Sequence, residues 1–557
     1  MKTAPIKRIE LNMDELESIL ERAQTSPLDD KDCAKIKAVF ESYLYLTELL
    51  EDKATTIDRL RKILFGSSSE KTREVIPQTP AAPSFTVPDG AEPTPSKRPG
   101  HGRHGADAYH GAEKIPVPHG SLKSGDRCPD CQKGKVYEVA KPGVLVRIVG
   151  QAPVQAKVYE LQRLRCNLCG KVFTAQAPEG VGAEKYDATS GSMIALLKYG
   201  SGLPFNRLEG LQGNLGIPLP ASTQWDMVHA TARRLAPVYE ELIRQAAQGE
   251  VLHNDDTTMK ILALMGKRAR AKALAEEAPE HAPDASARRG IFTSGIVSTS
   301  AGCRIALFFT GHRHAGENLA KVLAHRTETL GPPIQMCDAL SRNWPKELKT
   351  ILGHCLAHGR RQFVDVVEHF PEKCRYVLET LAEVYKNDEV ARERNLSPQD
   401  RLQFHQAKSS PLMEELKAWL IRQFEDRLVE PNSGLGEAIS YMLKHWEKLT
   451  LFLRKPGAPL DNNVCERALK KAILHRKNAL FYKTENGAHV GDLFMSLIHT
   501  CQLGGVDSFD YLTALQRHAG ELASDPAKWM PWNYREMLKP TATTPTPAAT
   551  PSDTVCR

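Results

Sequence analysis

The sequence predicts a multidomain α+β protein whose largest part is a mixed α/β core interrupted by a helical insertion. Three observations support this prediction: a heptad pattern near the N-terminus, two Cys-x-x-Cys pairs, and a series of apolar strand-like runs that carry aspartates. The chain has 557 residues, which is too many for one hydrophobic core. We therefore expect several domains in succession.

The composition is ordinary for a globular protein, with 41% apolar and 25% charged residues. The 74 basic and 67 acidic residues leave a net charge of +7, which is too mild to indicate nucleic-acid binding by itself. The N-terminus lacks the pattern of a signal peptide, and no apolar run is long enough to cross a bilayer. These features predict a cytoplasmic protein without a membrane partner.

Residues 1–72 are predicted to form a helical, coiled-coil segment that resembles a leucine zipper. The a and d positions of the heptads are apolar except for one lysine, and they are Ile36, Val39, Tyr43, Leu46, Leu50, Lys53, Ile57, Leu60 and Leu64. A coiled coil would make the protein a homodimer or a higher assembly, or would bind a partner helix. The alternative is an amphipathic helix that packs on its own domain.

Residues 73–125 are rich in proline, glycine, alanine and serine, and therefore predict a linker. Its basic stretch "KRPGHGRHG" is consistent with either a solvated tether or a contact with phosphates. Residues 539–557, rich in threonine, proline and alanine, predict a disordered tail.

Two Cys-x-x-Cys pairs within residues 126–176 predict a zinc ribbon. The four thiols of Cys128, Cys131, Cys166 and Cys169 would close a tetrahedral site for one structural Zn²⁺ ion, and the segment between the pairs is β-like. This arrangement leaves no open coordination position, so the metal would hold the fold. A redox pair and unconnected buried thiols are the alternatives.

Residues 177–245 have a helical pattern that is broken at "GIPLP". A helix-turn-helix that contacts DNA through residues 205–235 is one interpretation, and plain structural helices are the other.

Residues 246–500 contain the predicted mixed core. Strands are expected at "VLHNDD", "RGIFTSGIVSTS", "CRIALFFTGHR", "PPIQMCDALSRN" and "LGHCLAHGRRQF". Asp255 lies on the first of these strands, and Asp338 lies at the end of the fourth. A helical insertion at about 367–455 follows the fifth strand, and residues 501–538 form a last helical segment.

After the insertion comes a basic helix that begins near Asn462 and carries one acid, Glu466. Helical spacing places four residues near one face, while an apolar face turns toward the sheet; the four are Asn462, Asn463, Glu466 and Lys470. Spacing alone favours the alternative, a surface helix that forms an ordinary Glu–Lys pair.

An acid on the first strand, an acid on the fourth strand and an acid on a later helix are the layout of an RNase H-like fold. In-line displacement at a phosphodiester is served by two Mg²⁺ ions, which prefer oxygen ligands. Asp255, Asp338 and Glu466 would have to converge from distant segments in order to bind these ions.

The chain resembles the IS66 family of transposases over nearly its full length. The motifs that carry the resemblance are "LFGSSSEK", the cysteine pairs, "HNDDT", "CLAHGRRQF" and "LDNNVCERAL…HRKNALF…GAHVGDLFMSLIHT". The family's catalytic acids correspond to Asp255, Asp338 and Glu466. Two differences stand out: "DALSRN" replaces the family's usual D-G-Y sequence, and Asp256 stands where the family often has Glu, which leaves its role open.

The resemblance implies a DNA transposase of the DDE type, which uses Mg²⁺ to cleave element ends and to join the freed 3′ hydroxyl to target DNA. The partners would be terminal inverted repeats, target DNA and small accessory proteins of the same element. The zinc ribbon and the N-terminal helices would bind the repeats or pair protomers. Contacts with phosphates are expected from His358, Arg360, Arg361, Arg467, Lys470, Arg476 and Lys477.

Two alternatives from other functional classes are a non-catalytic zinc-containing DNA-binding protein and an RNase H-like nuclease that cuts RNA–DNA hybrids. The presence of all three acids disfavours the first. The coiled coil and the zinc ribbon fit the pairing of DNA ends better than the cutting of hybrids.

Overall fold

The computed structural model describes residues 115–539, apart from 139–144, 146–149, 166, 168–171, 183, 267–289, 301 and 346–347, together with Ile19 and Asp32. The heptad segment, most of the linker and the C-terminal tail therefore lie outside the described residues. The chain divides into two compact units, one of residues 1–79 and 364–382 and the other of residues 80–363 and 383–557. The candidate site lies entirely within the second unit.

A small antiparallel hairpin occupies the region of the predicted zinc ribbon. Strands β1 (Arg163–Arg165) and β2 (Val172–Thr174) form this hairpin, and Arg127 pairs with Lys135 around the first cysteine pair. The backbone N–H of Gly134 points at Sγ of Cys131 over 3.5 Å and lowers the pKa of that thiol. Cys166 and Cys169 lie outside the described residues, so the four-cysteine site stays a prediction.

Three helices precede the sheet. Helix α1 (Ala188–Ala195) continues as a π-helical turn (Leu196–Gly200), and α2 (Phe205–Asn214) and α3 (Ala221–Ala246) follow on either side of the predicted break at "GIPLP". The hydroxyl of Tyr239 on α3 donates to the backbone oxygen of Phe308 in the sheet over 3.0 Å, which ties this helical region to the core.

The core of the second unit is a five-stranded mixed sheet. Its strands are β3 (Val251–Thr258), β4 (Phe292–Ser300), β5 (Cys303–Gly311), β6 (Ile334–Cys337) and β7 (Ile351–His354), and helix α4 (Ala315–Leu323) connects β5 with β6. The order across the sheet is β5-β4-β3-β6-β7, with antiparallel pairs among the first three strands and parallel pairs from β3 onward. All five predicted strands are present.

Residues of β3 alternate between the two faces of the sheet, as the period of two requires. His253 bonds to Asn462 on one face, whereas Asp256 contacts α4 on the other face through His314. The partner strand follows the same rule, because Asn318 of α4 donates to Ser294 while Gly295 faces the helix that carries Glu466.

The segment predicted as an insertion is helical. It follows α5 (Leu356–Val366) and consists of α6 (Pro371–Glu393), α7 (Pro398–Lys408), α8 (Ser410–Glu425), α9 (Gly434–Lys444) and α10 (Trp446–Leu449). The fifth strand ends at His354, so the motif residues His358, Arg360 and Arg361 lie on α5 rather than on the strand.

Helix α11 (Asn463–Ala479) carries Glu466, and α12 (Glu485–Leu503), α13 (Ser508–Arg517), α14 (Ala519–Ser524) and α15 (Tyr534–Met537) complete the fold. Among the described residues, no helix combines the length and the apolar composition that a bilayer crossing requires.

Helix α12 covers the free edge of β5 with a ladder of side-chain hydrogen bonds. The N–H groups of Ala306, Phe308 and Thr310 donate to Thr500, Ser496 and Asp492 over 3.0, 2.9 and 2.7 Å. Two residues of a strand advance about 6.8 Å and four residues of a helix about 6 Å, so the two spacings nearly match. The edge strand is therefore satisfied within the chain and does not offer a template for pairing.

The acidic member of this ladder, Asp492, is 3% exposed and lies beneath Thr310. Burial raises the pKa of the Asp492 carboxyl to about 7, although hydrogen bonds from the hydroxyl and the N–H of Thr310 oppose the rise. Because the folded state keeps this proton up to about pH 7 and the unfolded state releases it near pH 4, stability is lost as the pH rises between these values.

We predict that Asp492→Asn stabilises the protein at pH 8 by up to about 4 kcal/mol and has a much smaller effect at pH 5. An asparagine oxygen can still accept from the N–H of Thr310, and the variant loses the cost of burying a charge. Thermal unfolding of both proteins between pH 5 and pH 8 measures the difference.

The matched control is Glu485→Gln, which changes an exposed acid on the same helix and should alter stability by less than about 0.5 kcal/mol at either pH. If the wild type and Asp492→Asn show the same dependence of stability on pH, the assignment of a proton to Asp492 is wrong.

Candidate active site

The two predicted aspartates meet at one edge of the sheet. Asp255 lies on β3, and Asp338 directly follows β6, which runs parallel to β3 and ends at the same edge. The side-chain nitrogen Nδ2 of Asn343 lies 2.5 Å from Oδ1 of Asp338 and 3.4 Å from Oδ1 of Asp255. One amide nitrogen therefore joins the two carboxylates.

Asn343 is held in turn by a buried network of amides. Its backbone oxygen accepts from Nδ2 of Asn254 over 2.8 Å and from Nε2 of Gln335 over 2.7 Å. Gln335 also donates to Oδ1 of Asn254 over 2.9 Å and accepts from the hydroxyl of Thr350 over 2.8 Å. This network fixes the ends of β3 and β6 relative to the turn that follows Asp338.

Asn462 attaches the start of α11 to the same strand. Its Nδ2 donates to the backbone oxygen of Asn254 over 3.1 Å, and its Oδ1 lies 3.1 Å from Nδ1 of His253. Burial lowers the pKa of His253 to about 4, so the ring is neutral at physiological pH and presents N–H to Asn462. Glu466 follows one turn further along α11, and its Oε1 lies 3.7 Å from Nδ1 of His358.

A glycine lets α11 approach the sheet beside Asp255. Gly295 is the β4 partner of Asp255, and a Cβ there would lie 3.0 Å from the side chain of Leu469 and 3.6 Å from Sγ of Cys465. The thiol of Cys465 donates to the backbone oxygen of Gly295 over 3.3 Å. Any larger residue at this position would press against the helix that carries Glu466.

The carboxyl of Asp255 lies in an environment that disfavours its charged form. Burial raises the pKa of the Asp255 carboxyl to about 7, and the negative charges of Asp338 and, more weakly, Asp256 and Glu466 act in the same direction. The N–H of Asp256 donates to Oδ1 of Asp255 over 2.8 Å and partly offsets the rise. A carboxylate cluster of this kind fits a divalent cation, which would relieve the repulsion.

Asp256, whose role the sequence left open, belongs to the opposite face. Its side chain is 1% exposed, Oδ2 lies 2.8 Å from Nδ1 of His314, and Oδ1 lies 3.4 Å from the guanidinium of Arg342. These contacts tie β3 to the start of α4 and to the turn that contains Asn343. Asp256 is thus a structural neighbour of the site, since strand alternation directs it away from Asp338.

Sequence analysis missed Cys355 as a member of the site. Sγ of Cys355, Nδ1 of His358 and one carboxylate oxygen of Glu466 all lie within 4.8 Å of one another, with 3.7 Å between His358 and Glu466. The i, i+3 spacing of Cys and His in "CLAH" was the available signal.

The seven residues expected at phosphates occupy different environments. Arg467, Lys470 and Lys477 are exposed on the outer side of α11. Arg476 instead donates to Thr257 and Thr258 at the end of β3, and Arg360 is buried at 8% exposure. Arg361 is half-buried on α5, and His358 faces Glu466.

Comparison with known proteins gives a consistent result. The family model described as "Transposase IS66 family" matches residues 186–490. The uncharacterized protein y4jD of Sinorhizobium fredii (strain NBRC 101917 / NGR234) is 26% identical over 511 residues, which cover 88% of this chain and 96% of that protein. The uncharacterized protein y4hP of the same organism is 27% identical over 403 residues, covering 69% of each chain.

The family match spans more than half of the 557 residues, and it includes all three acids as well as the sheet and the helix that carry them. The chain therefore belongs to the IS66 family of transposases.

Proposed function

We propose that the protein is a DNA transposase of the DDE type, which cleaves the ends of an insertion sequence and joins them to target DNA. The observation that carries this proposal is the approach of Asp255 and Asp338 to one amide nitrogen, with the charge of Glu466 close enough to raise the pKa of Asp255. These observations support a site at this edge of the sheet to which three acids from distant segments of the chain contribute.

The arrangement of the strands supports an RNase H-like catalytic core. The order β5-β4-β3-β6-β7 has three antiparallel strands followed by two parallel ones, with one acid on the first strand of the chain order and one directly after the fourth. The third acid comes from a helix packed beside that first strand. The positions of the acids along the sequence led us to expect such a layout.

The donor set fits hard divalent cations, because Asp255, Asp338 and Glu466 offer carboxylate oxygens and one oxygen of Glu466 is buried without a hydrogen bond. When bound, two Mg²⁺ ions supply Lewis acidity and charge neutralisation for in-line displacement. The chain's own contribution is to orient the carboxylates through Asn343 and Asn462.

The two alternatives remain separable by experiment. A non-catalytic DNA-binding protein would bind element ends without cutting them, and an RNase H-like nuclease would cut RNA–DNA hybrids without joining. A strand-transfer assay with element ends, target DNA and Mg²⁺ distinguishes all three functions.

We predict that Asp255→Asn, Asp338→Asn and Glu466→Gln each reduce cleavage by about a thousandfold or more, equivalent to about 4 kcal/mol of transition-state stabilisation. Binding to element ends should survive, because the substituted side chains are not the basic groups that contact DNA. Single-turnover cleavage and a gel-shift assay measure the two properties.

Glu250→Gln is the matched control, since Glu250 is an exposed acid just before β3, at the opposite end of the strand from the site. It should cleave like the wild type. Cleavage at the wild-type rate by any of the three acid variants would contradict the triad.

The exposed bases of α11 form the nucleic-acid surface of this proposal. Arg467, Lys470 and Lys477 lie on the helix that supplies Glu466, so phosphates bound there would run past the acids. Arg361 extends the proposed surface onto α5, whereas His358 is left out because it faces Glu466. Arg360 is left out because it is buried, and Arg476 is left out because it is bound to Thr257 and Thr258.

We predict that Arg467→Ala combined with Lys470→Ala weakens DNA binding and reduces the slope of log affinity against log salt concentration by about 2. Each lost phosphate contact removes the release of about one counterion. Fluorescence anisotropy over a range of salt concentrations measures the slope, and Lys408→Ala, an exposed lysine of the insertion, serves as the control. An unchanged slope would remove these two residues from the interface.

The zinc module and the N-terminal helix complete the proposal. Cys128 and Cys131 are drawn together by a turn whose N–H groups favour the thiolate, which is the geometry of a metal-binding knuckle. We propose that Cys166 and Cys169 add the other two ligands, and that residues 126–176 bind the terminal inverted repeats. We propose that residues 1–72 pair protomers. We also propose that small accessory proteins of the same element are partners and that the protein is cytoplasmic.

We predict that removal of zinc unfolds residues 126–176 and leaves the sheet intact, because a four-thiolate site supplies the folding energy of a small module. Hydrogen exchange measured with and without a chelator should show lost protection only in the module. Equal protection in both samples would contradict the four-cysteine site.

A further inference from the structure

We propose that Cys355, His358 and Glu466 form a binding site for a transition-metal ion of the zinc class beside the all-oxygen pair of Asp255 and Asp338. The inference deepens the proposed function, since Glu466 is shared between the two metal positions. An ion at this second position would hold Glu466 through a donor set that differs from the one expected for Mg²⁺.

The distances suit a single small ion. The three ligand atoms lie within 4.8 Å of one another, and Nδ1 of His358 is 3.7 Å from Oε1 of Glu466. Ligands that bind one Zn²⁺ at about 2.0 to 2.3 Å stand no more than about 4.6 Å apart. A small rotation of the partly exposed side chains therefore suffices to bring all three into contact with one ion.

Two of the three ligand atoms have no other use among the described residues. Nδ1 of His358 and Oε1 of Glu466 are buried atoms without a hydrogen-bond partner there, and at 3.7 Å they do not bond to each other. Buried polar atoms of native proteins are almost always satisfied. Two atoms with free lone pairs that face the same point favour the binding of a metal ion there.

The backbone holds Cys355 and His358 in place. The N–H of Cys355 donates to the backbone oxygen of Cys337 over 2.9 Å, and that of Leu356 donates to Leu460 over 2.9 Å. Cys355 then lies directly before α5 and His358 in its first turn, so the two side chains share one side.

The helix that carries Glu466 is positioned by a contact with Cys355. The N–H of Asn462 points at Sγ of Cys355 over 3.2 Å, which fixes the start of the helix that carries Glu466. All three ligands are thus positioned through backbone contacts between β7, α5 and α11, as a preorganised metal site requires.

The chemistry of the donors selects the ion. Sulfur and imidazole nitrogen favour borderline ions such as Zn²⁺ and Co²⁺, whereas Mg²⁺ prefers oxygen and a full octahedral shell. Three protein ligands leave one coordination position open, and the side chains of His358 and Glu466 are 23% and 25% exposed, which provides an entry path. Zn²⁺ at this position would compete with Mg²⁺ for Glu466 and would inhibit the proposed reaction.

Titration of the full-length protein with Co²⁺, its cysteine module already loaded with zinc, tests the proposal. We expect one saturable Co²⁺ site with an intense visible spectrum and a thiolate charge-transfer band, both of which added Zn²⁺ abolishes. His358→Ala should weaken Co²⁺ binding at least about tenfold. Cys355→Ser should lose the charge-transfer band, because only sulfur produces it.

Two control variants keep the residue types and change their place. His325→Ala alters an exposed histidine after α4, and Cys303→Ser alters a cysteine at the far end of β5; both should give the wild-type spectrum. Circular dichroism checks the folding of every variant. If Cys355→Ser does not fold, His358→Ala still decides the question, because its ring makes no hydrogen bond through the buried nitrogen.

Wild-type affinity for Co²⁺ in His358→Ala, or the absence of any saturable site, would overturn the inference. Asp255→Asn tests the proposed transposase function independently of the second metal site, because Asp255 is not one of the three proposed ligands Cys355, His358 and Glu466. If Asp255→Asn loses cleavage while His358→Ala keeps wild-type Co²⁺ binding, the transposase proposal stands and the second metal site falls. If Co²⁺ binds as expected while Asp255→Asn cleaves normally, the second metal site stands and the transposase proposal falls.

Discussion

The candidate active site depends on a buried network of amide side chains at the carboxyl ends of β3 and β6. Asn254, Gln335, Asn343 and Asn462 are all fully buried and bond to one another or to the backbone of these segments. Buried amides are costly unless they are satisfied, and apolar side chains of the same size would pack there at lower cost. The amides fix the positions of three parts of the chain relative to one another: β3, β6 with the turn that follows it, and the start of α11. Asn343 also contacts the carboxylates of Asp255 and Asp338 directly.

This fixed relation works against electrostatic repulsion. Asp255 is half-buried, and the charges of Asp338 and, more weakly, Glu466 add to the effect of burial in raising its pKa, so the fold holds together groups that would move apart in water. The neighbouring residue is in a different environment, because the side chain of Asp256 is 1% exposed and lies against His314 and Arg342. One step along the strand therefore separates an acid with basic partners from an acid whose charged neighbours are other carboxylates.

The sequence was sufficient for the strands and for the convergence of two acids. Apolar runs of β-branched residues predicted all five strands, and the carboxyl ends of parallel strands share an edge, so Asp255 and Asp338 had to be neighbours. The amide network was not predictable, because Asn and Gln are common surface residues and nothing local marks those that are buried. The same holds for Arg360, whose motif suggested phosphate contact while its helix turns it inward.

The ladder between α12 and β5 shows a second limit of sequence patterns. Asp492, Ser496 and Thr500 have a spacing of four, which predicts a polar stripe on the exposed side of an amphipathic helix. In the structure these three side chains are buried against the edge strand. They accept hydrogen bonds from N–H groups of β5 that would otherwise be buried without an acceptor. A pattern within one element cannot reveal a requirement that arises in another.

The single acid at the head of the basic helix α11 can be explained by these requirements together. Cys465, Ala468, Leu469 and Ala472 bury one side of the helix against the sheet, and Gly295 leaves room for that close contact. Glu466 lies in the first turn of α11, where the positive end of the helix dipole favours a carboxylate. Arg467, next along the chain, is rotated about 100° away and is exposed. A basic residue in place of Glu466 could not bind a cation. A second acid on the outer side of α11 would repel the phosphates that the exposed basic residues are proposed to attract.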